Sequence, residues 1–343
     1  MKFAVGMGRD EPSGAVADLA RAAEDSGFSY LTFVDQPGMS RDVYVCLTIA
    51  ALSTRHIRIA HGVTDPVTYR PWVIANATAT LNELSGGRAF VGLGAGGPYG
   101  KEMKSRPLRE VRAAVEFIRR YSAGEEAEFE GIRMRSEWMR RRLAIYIGCA
   151  GPKMLQMAGE VADGVMLASN ADPVILQWRL EQIEKGARRA GRDPASVDVW
   201  ARGMIYVTKD PEMARREVSG YAVNSARSLY RFMRQSGPEI DDLRQRVERA
   251  HPGLLEDCRG VFEAWSPDQH ERIDTAASRV VTPRIIDTQH LVGTPDHICE
   301  KLAHLSQIGI RTFATVTYTL LDKRAMVRTI GDRVISRLRA EVE

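Results

Sequence analysis

The amino-acid sequence predicts a closed (β/α)8 barrel, in which eight parallel strands form a cylinder that helices surround. Two observations favour this fold. Short apolar segments alternate with amphipathic helices eight times along the chain, as expected of parallel strands joined by crossover helices. The chain has 343 residues, which accommodates a barrel of about 250 residues together with insertions. A doubly wound open sheet is the alternative fold, and the eight units favour closure into a barrel.

Eight short apolar segments are predicted as strands. In chain order they are Lys2–Gly6, Tyr30–Val34, Ile57–Ala60, Ala89–Leu93, Ala144–Gly148, Gly164–Ala168, Val197–Val207 and Thr312–Thr317. Glycine and proline mark the helices between them. Ser26-Gly27 ends the first helix, Pro71 begins a later one and Ser85-Gly86-Gly87 ends it, in agreement with the preferences of helix ends.

Two segments depart from the alternating pattern. Residues 124–142 are polar and strongly charged, and we expect them to form an excursion before the fifth strand. Residues 219–285 are charged and have no clear strand, which predicts a helical insertion before the last β/α unit. The sequence therefore predicts a single barrel domain over residues 1–343, with a helical insertion at about 219–285.

The composition argues against several classes of function. Hydrophobic residues make up 44% of the chain, charged residues 27%, and the net charge is +4, which does not indicate nucleic-acid binding. The run Arg140-Arg141-Arg142 is typical of a solvated face, or it attracts an anionic substrate or cofactor tail. The four cysteines have no spacing that suits zinc, so we expect no metal site.

The compartment is predicted from the same features. The first residues contain no apolar core of a signal peptide, and no stretch approaches the roughly 18 apolar residues that a membrane span needs. Isolated cysteines are typical of reduced thiols. We expect a cytoplasmic protein that binds neither a membrane nor nucleic acid.

The predicted fold places the active site at the carboxyl ends of the strands. This selects the residues that directly follow each predicted strand. They are Gly6–Asp10, Asp35-Gln36, His61–Asp65, Gly94–Gly97, Cys149–Lys153, Ser169-Asn170, Arg202 and Tyr318.

Three of these turns are rich in glycine. Gly92–Gly97 lacks a helix at the spacing of a dinucleotide motif, so it favours a backbone that approaches a flat ligand closely. Cys149–Lys153 joins a strand to a helix. It is either a phosphate site, formed by the free N–H groups at the helix start, or an ordinary strand-to-helix turn. His61–Pro66 has the composition of a turn, and His61 is either a structural or a catalytic histidine.

Five groups of residues together carry a likeness to a known family. They are Leu19–Phe28 with Val34-Asp35-Gln36, Ser40–Val45, Gly62–Pro66 with Thr78–Arg88 and Gly92–Gly96, Gly151–Leu155 with Ala158-Gly159 and Ala162–Gly164, and Leu291–Asp296. On these residues the sequence resembles the luciferase-like oxidoreductase class. Within that class it is similar to methylenetetrahydromethanopterin reductases and related enzymes that use coenzyme F420. The resemblance covers residues 1–210 and 290–343.

The resemblance implies a bacterial luciferase-like barrel that holds coenzyme F420, a deazaflavin, over the carboxyl ends of the strands. It implies a cis peptide bond between Gly62 and Val63 at the cofactor ring. The cofactor-binding residues that it implies are Asp35, Gly62, Val63, Thr64, Gly94, Ala95, Gly96, Ala150, Gly151, Pro152, Lys153 and Met154. The candidate catalytic residues are Asp35, Gln36, His61 and Asp65.

Two positions depart from the family pattern. The family usually has a histidine after the aspartate of the second strand, where this sequence has Gln36. The reductases often have a glutamate in the first strand, where this sequence has Gly6. Neither residue can exchange a proton at neutral pH. Other candidate proton donors near the predicted mouth are His61, Asp65, Tyr69 and Tyr318.

The sequence leaves three functions open. The first is hydride transfer between coenzyme F420 and a small organic substrate, with the cofactor carrying the chemistry. The second is an FMN-dependent monooxygenase that uses reduced flavin and O2, and the third is a ligand-binding barrel without catalysis. The expected partners are a small-molecule substrate, a second copy of the chain in a homodimer, and a flavin or F420 reductase that supplies reduced cofactor.

Overall fold

The fold is described from a computed structural model of the protein. The structure describes residues 1–7, 11–97, 105–266, 272–317, 320 and 322–340. Two of the predicted site segments, residues 8–10 and Tyr318, lie outside the described residues.

Twelve strands lie in the described residues. They are β1 (Lys2–Met7), β2 (Tyr30–Phe33), β3 (Arg58–His61), β4 (Ala89–Leu93), β5 (Ala127–Phe129), β6 (Ile132–Met134), β7 (Ile145–Cys149), β8 (Gly164–Leu167), β9 (Asp198–Arg202), β10 (Ile205–Val207), β11 (Leu291–Gly293) and β12 (Thr312–Val316). Eight of them form a closed parallel barrel in the order β1-β12-β9-β8-β7-β4-β3-β2. The predicted (β/α)8 barrel is therefore confirmed.

Helices surround the barrel and connect its strands. They are α1 (Val16–Asp25), α2 (Val43–Ser53), α3 (Pro71–Leu84), α4 (Leu108–Ser122), α5 (Pro152–Val161), α6 (Pro173–Arg189), α7 (Pro211–Met233), α8 (Pro238–Ala250), α9 (Leu254–Ala264), α10 (Ala276–Arg279), α11 (Pro283–Gln289), α12 (Pro295–Gln307), α13 (Lys323–Ile330) and α14 (Ser336–Ala340). A π-helical turn, Gly331–Ile335, joins the last two. No helix in the described parts of the chain has the length and apolar character to span a membrane.

The predicted seventh strand, Val197–Val207, is wrong in one respect, because it is two strands. β9 belongs to the barrel, whereas β10 leaves it and pairs in parallel with β11. The break lies at Gly203 and Met204, where the Met204 N–H donates to His290 Nδ1 across 3.1 Å. This contact with a residue distant in sequence accompanies the departure of the chain from the barrel. The local apolar pattern contains no information about such a contact.

The two segments that depart from the alternating pattern have definite structures. Residues 124–142 include the antiparallel hairpin formed by β5 and β6. The described part of the charged segment 219–285 lies within α7 to α11. α7 begins earlier, at Pro211, where the Asp210 carboxylate accepts from the N–H groups of Glu212 and Met213. Charged helices of this kind bury one face and expose the other.

A layer of aromatic side chains fills the barrel interior. Tyr30, Phe90, Tyr146 and Trp200 pack in edge-to-face and tilted arrangements, with 4.5 Å between the ring centroids of Tyr30 and Trp200. The polar ends of two rings are satisfied by one carboxylate, because Asp198 Oδ2 accepts from Tyr146 Oη at 3.0 Å and from Trp200 Nε1 at 2.8 Å. Such rings need a partner when buried. The layer gives the active-site end of the barrel a rigid floor.

The packing of α5 on α6 depends on glycine. A methyl group on Gly186 would lie 1.8 Å from the Gln156 carbonyl oxygen, and one on Gly159 would lie 2.1 Å from the Ile183 carbonyl oxygen. Both obstacles are backbone atoms, so neither can move without separating the helices. α5 and α6 follow β7 and β8, and their contact fixes how the two turns at the carboxyl ends of those strands face each other.

We expect Gly186→Ala to lower the free energy of unfolding by about 1–3 kcal/mol, as overpacking does elsewhere, with the midpoint of urea denaturation as the measurement. Gly260→Ala in α9 is the matched control, because a methyl group there meets nothing within 4 Å. That control should be neutral or stabilising by about 1 kcal/mol. Equal midpoints for the two variants would contradict the packing argument.

Candidate functional site

The backbone bulges inward where β3 ends. The Gly62–Val63 peptide bond is cis, as the family resemblance implies. On either side of it the Gly62 N–H donates to the Phe33 carbonyl at 2.7 Å, and the Thr64 N–H donates to the Gly92 carbonyl at 3.0 Å. Val63 consequently packs on the aromatic cluster inside the barrel. The bulge forms part of the surface of the barrel mouth.

Two glycines, one in β4 and one directly after it, make room for this bulge. A methyl group on Gly92 would lie 2.0 Å from the His61 carbonyl oxygen, and one on Gly94 would lie 2.9 Å from Val63 Cγ2. The Gly94 N–H also donates to the Thr64 carbonyl at 2.7 Å. The glycine-rich turn thus has a structural role against the protein's own backbone, in addition to any role beside a ligand.

A small cavity opens above the aromatic floor. It is lined by Gly6, Thr32, Gly62, Met166, Leu167, Trp200, Arg202, Ala314 and Thr315. Gly6, which replaces the glutamate expected in the family, is part of this wall. The position therefore contributes space to the mouth rather than an ionisable group.

Asp35 is the acidic group at the mouth whose proton affinity is most altered. Its side chain follows β2 and is 4% exposed. The pKa of Asp35 is raised to about 6, mainly by burial and in part by the charges of Asp65 and Asp42, while the Thr64 hydroxyl offsets part of the effect. A carboxyl group with this pKa exchanges its proton close to physiological pH and is mostly protonated below about pH 6.

The other candidate catalytic residues lie close to Asp35 in different environments. The backbone of Gln36 is held by Ser40, because the Gln36 N–H donates to the Ser40 hydroxyl and that hydroxyl donates to the Gln36 carbonyl. The side-chain oxygen of Gln36 is buried and accepts no hydrogen bond in the described structure. Asp65 is buried and caps its own turn, since Oδ1 accepts from the N–H groups of Val67 and Thr68. The structure brings these residues together around the start of the bulge.

His61 is fully buried at the end of β3. Its ring lies edge-on to Tyr44, with 5.1 Å between centroids, and neither ring nitrogen has a hydrogen-bond partner within the described residues. Burial lowers the pKa of His61 to about 3. The imidazole is therefore neutral at physiological pH. Tyr69 lies nearby, packed edge-on against Tyr44.

The turn after β4 continues along the mouth as Gly94-Ala95-Gly96. Gly96 has a φ of +81°, and a methyl group there would meet the Val67 side chain at 2.7 Å. Two later residues hold this turn, because the Arg106 N–H donates to the Ala95 carbonyl and the Ser105 hydroxyl donates to the Gly96 carbonyl. The three predicted cofactor-binding residues thus form one ordered edge.

The turn after β7 leads into the amino terminus of α5. Gly151 is the N-cap and has no side-chain cap, and Pro152 is the first helical residue. Nothing lies within 4 Å of a methyl group placed on Gly151, and Lys153 is exposed. Ala150 and Met154 are half-buried on either side. The start of α5 therefore has no side-chain cap and open space beside Gly151, as an anion site requires.

One residue near this turn escaped sequence reasoning. Arg179 lies on the apolar face of α6 between Ile175 and Ile183, and it is 2% exposed. Its Nη1 donates to the Ala168 carbonyl at 2.6 Å. A signal was present, because an arginine at a helical position that otherwise carries apolar residues is unusual.

These features fit a flavin-type cofactor. The bulge and the glycine turn present a side-chain-poor surface over an apolar floor, which suits a flat ring, and the uncapped start of α5 suits a phosphate.

Within the described ranges, no group of three or more histidine, cysteine or acidic residues is arranged to hold a metal ion.

Comparison with known proteins agrees with this geometry. The family model described as luciferase-like monooxygenase matches residues 2–312. A 5,10-methylenetetrahydromethanopterin reductase from Archaeoglobus fulgidus is 32% identical, over 99% of this chain and 100% of its own length. One from Methanolobus tindarius is 29% identical, over 98% of this chain and all of its own.

A solved structure gives the same result. The coenzyme F420 dependent tetrahydromethanopterin reductase from Methanopyrus kandleri superposes with a TM-score of 0.80 and 25% identity, covering 98% of this chain and 99% of the other. The resemblance inferred from the strand-end motifs is thereby confirmed. The chain belongs to the luciferase-like monooxygenase family of (β/α)8 barrels.

Proposed function

We propose that this protein is an oxidoreductase that transfers a hydride between coenzyme F420 and a small organic substrate. The observation that carries the proposal is likeness over essentially the whole length to reductases, one of them a solved F420-dependent enzyme. The barrel mouth agrees, because the bulge, the glycine turn and the uncapped helix start lie at the carboxyl ends of neighbouring strands. An FMN-dependent monooxygenase is the alternative.

The residues that would hold the cofactor fall into two groups. Asp35, Gly62, Val63 and Thr64 would contact the ring, together with Gly94, Ala95 and Gly96 along one edge. Ala150, Gly151, Pro152, Lys153 and Met154 would hold the phosphate side. When bound, coenzyme F420 supplies a carbon centre that accepts or donates a hydride.

The protein itself must position the substrate and manage the proton that accompanies hydride transfer. We propose Asp35 for the second task, since it is the carboxyl group at the mouth whose pKa burial brings to about 6. Gln36 would orient a ligand through its amide, because an amide cannot exchange a proton at neutral pH. His61 and Asp65 stay candidate residues. The complete burial of His61 and the hydrogen bonds of Asp65 within its own turn favour a role in shaping the bulge over contact with substrate.

We further propose that residues 1–343 act as one domain. The helical segment 219–285 would cap the substrate side of the mouth. One contact supports this position, because the Tyr221 hydroxyl of α7 hydrogen-bonds the Ser169 hydroxyl next to β8. A flavin or F420 reductase would supply the reduced cofactor.

A homodimer is also part of the proposal. α2 exposes Val45 and Leu52, which are 53% and 68% exposed, and the adjacent α3 exposes Val73 and Leu84. An apolar face of this kind on two neighbouring helices is typical of a subunit interface. The expected symmetry is twofold, with the same face used by both copies.

Titration with cofactor separates the two candidate functions. We expect the purified protein to bind coenzyme F420 at least about tenfold more tightly than FMN, which corresponds to about 1.4 kcal/mol, as measured by ligand fluorescence. A preference for FMN, with O2 consumption in the presence of reduced FMN, would favour the monooxygenase instead. Binding of neither would favour a barrel without redox function.

The role of Asp35 predicts a pH dependence. If Asp35 donates the proton during substrate reduction, the rate of reduction should fall as pH rises through about 6, and the rate of the reverse oxidation should rise. Asp35→Asn should lower the rate at pH 6 by about 100-fold or more and remove this pH dependence. The assay uses 5,10-methylenetetrahydromethanopterin first, because a relative is named for it. An unchanged pH profile in the variant would assign the proton to another group.

The dimer has its own test. Light scattering coupled to gel filtration should give twice the chain mass, and Leu52→Glu with Val45→Glu should give a monomer, because burying two unpaired carboxylates costs several kcal/mol. Met213→Glu on α7 is the control, since Met213 is similarly exposed, at 51%, but lies away from the α2–α3 face. A monomeric wild-type protein, or a double variant that stays dimeric, would exclude this interface.

A further inference from the structure

Arg179 carries a buried positive charge, and no carboxylate in the described structure forms an ion pair with it. The residue is 2% exposed, its Nη1 donates to the Ala168 carbonyl, and its Nε has no acceptor. Buried charges in proteins are nearly always paired or bound to a ligand. An arginine in this state therefore needs a specific explanation.

The neighbouring groups balance this charge only in part. Burial raises the pKa of the Cys149 thiol to about 12, so the thiol is uncharged. The Asp172 carboxylate favours the charged form of Arg179, but its direct contacts are to other groups, since Oδ1 accepts from the Ile175 N–H at 3.0 Å and Oδ2 lies 2.5 Å from His251 Nε2. Burial lowers the pKa of Arg179 to about 10, which still leaves the guanidinium protonated at neutral pH.

The position of Arg179 connects it to the start of α5. Ala168 contacts both Arg179 and Cys149. Its carbonyl accepts from Arg179, and its N–H donates to the Cys149 carbonyl at 3.1 Å. The guanidinium therefore lies where the ends of β7 and β8 meet, and two residues after Cys149 the chain reaches Gly151, the uncapped N-cap of α5. A cation at the strand end that leads into a helix amino terminus adds to the positive potential there.

A second donor in the same place also lacks an acceptor. Asn170, in the turn after β8, is fully buried, and its side-chain oxygen accepts from the Asp172 N–H at 2.8 Å. Its Nδ2 has no acceptor within the described residues. The unsatisfied groups of Arg179 and Asn170 are both donors, which points to an anion.

We propose that Arg179 is a positioning residue for the phosphate of the bound cofactor, and that this phosphate completes the balance of its charge in the complex. The inference rests on the proposed function. It explains why an arginine occupies an apolar helix face, because the cation raises the positive potential at the start of α5 without touching the cofactor ring. It also predicts that Arg179 destabilises the protein when no anion is bound.

The test uses Arg179→Met and two ligands, coenzyme F420 and the deazaflavin ring with its ribityl chain but no phosphate. The variant should bind F420 about tenfold or more weakly, while its affinity for the phosphate-free ligand changes less than about twofold. Its thermal midpoint without ligand should be equal to or above that of the wild type, since an apolar side chain replaces an unpaired buried charge. Arg179→Lys should restore much of the F420 affinity.

Arg188→Gln on the exposed side of α6 is the matched control and should change neither affinity, because Arg188 pairs with Glu184 at the surface. Equal losses for both ligands, or a lower thermal midpoint together with unchanged ligand selectivity, would show a purely structural role and overturn the inference. Inorganic phosphate should compete with F420 in the wild type and less in Arg179→Met. If the wild type binds neither deazaflavin, the proposed function itself fails, which is a distinct result.

Discussion

The site depends on the close approach of two backbones, the bulge after β3 and the glycine turn of β4. The His61 carbonyl lies where a side chain at Gly92 would have to be, and the segment is held by backbone hydrogen bonds on both sides. Because the obstacle is backbone, substitution of Gly92 would displace the bulge and with it Val63, Thr64 and the surface above the aromatic floor. The flat, side-chain-poor mouth is therefore a consequence of packing within the barrel.

Around this surface the protein keeps two ionisable groups in buried positions. The carboxyl of Asp35 is buried enough for its pKa to reach about 6, and Arg179 keeps its charge without an ion pair among the described residues. Both arrangements lower the stability of the folded chain, because burial disfavours charge. Such groups concentrate at functional sites, and here they lie at the two ends of the proposed cofactor position.

The departures from the family pattern change what the mouth can do. Gly6 contributes space to the cavity where a glutamate would contribute a proton donor. Gln36 offers a hydrogen bond but no proton. The proposed proton transfer consequently falls to Asp35, and the turns proposed to hold the cofactor are unaffected by these two departures.

The sequence by itself determined the eight barrel strands, the helix ends and the family, because apolar periodicity, capping residues and glycine turns are local properties that short segments carry. It also marked the strand-end residues and the Gly62–Val63 bulge through resemblance. Only the tertiary structure decided that Val197–Val207 divides at Gly203, that His61 is neutral and enclosed, and that Arg179 is buried against the Ala168 carbonyl. These outcomes depend on which distant elements pack around a residue, since burial and hydrogen-bond partners set its charge and its role.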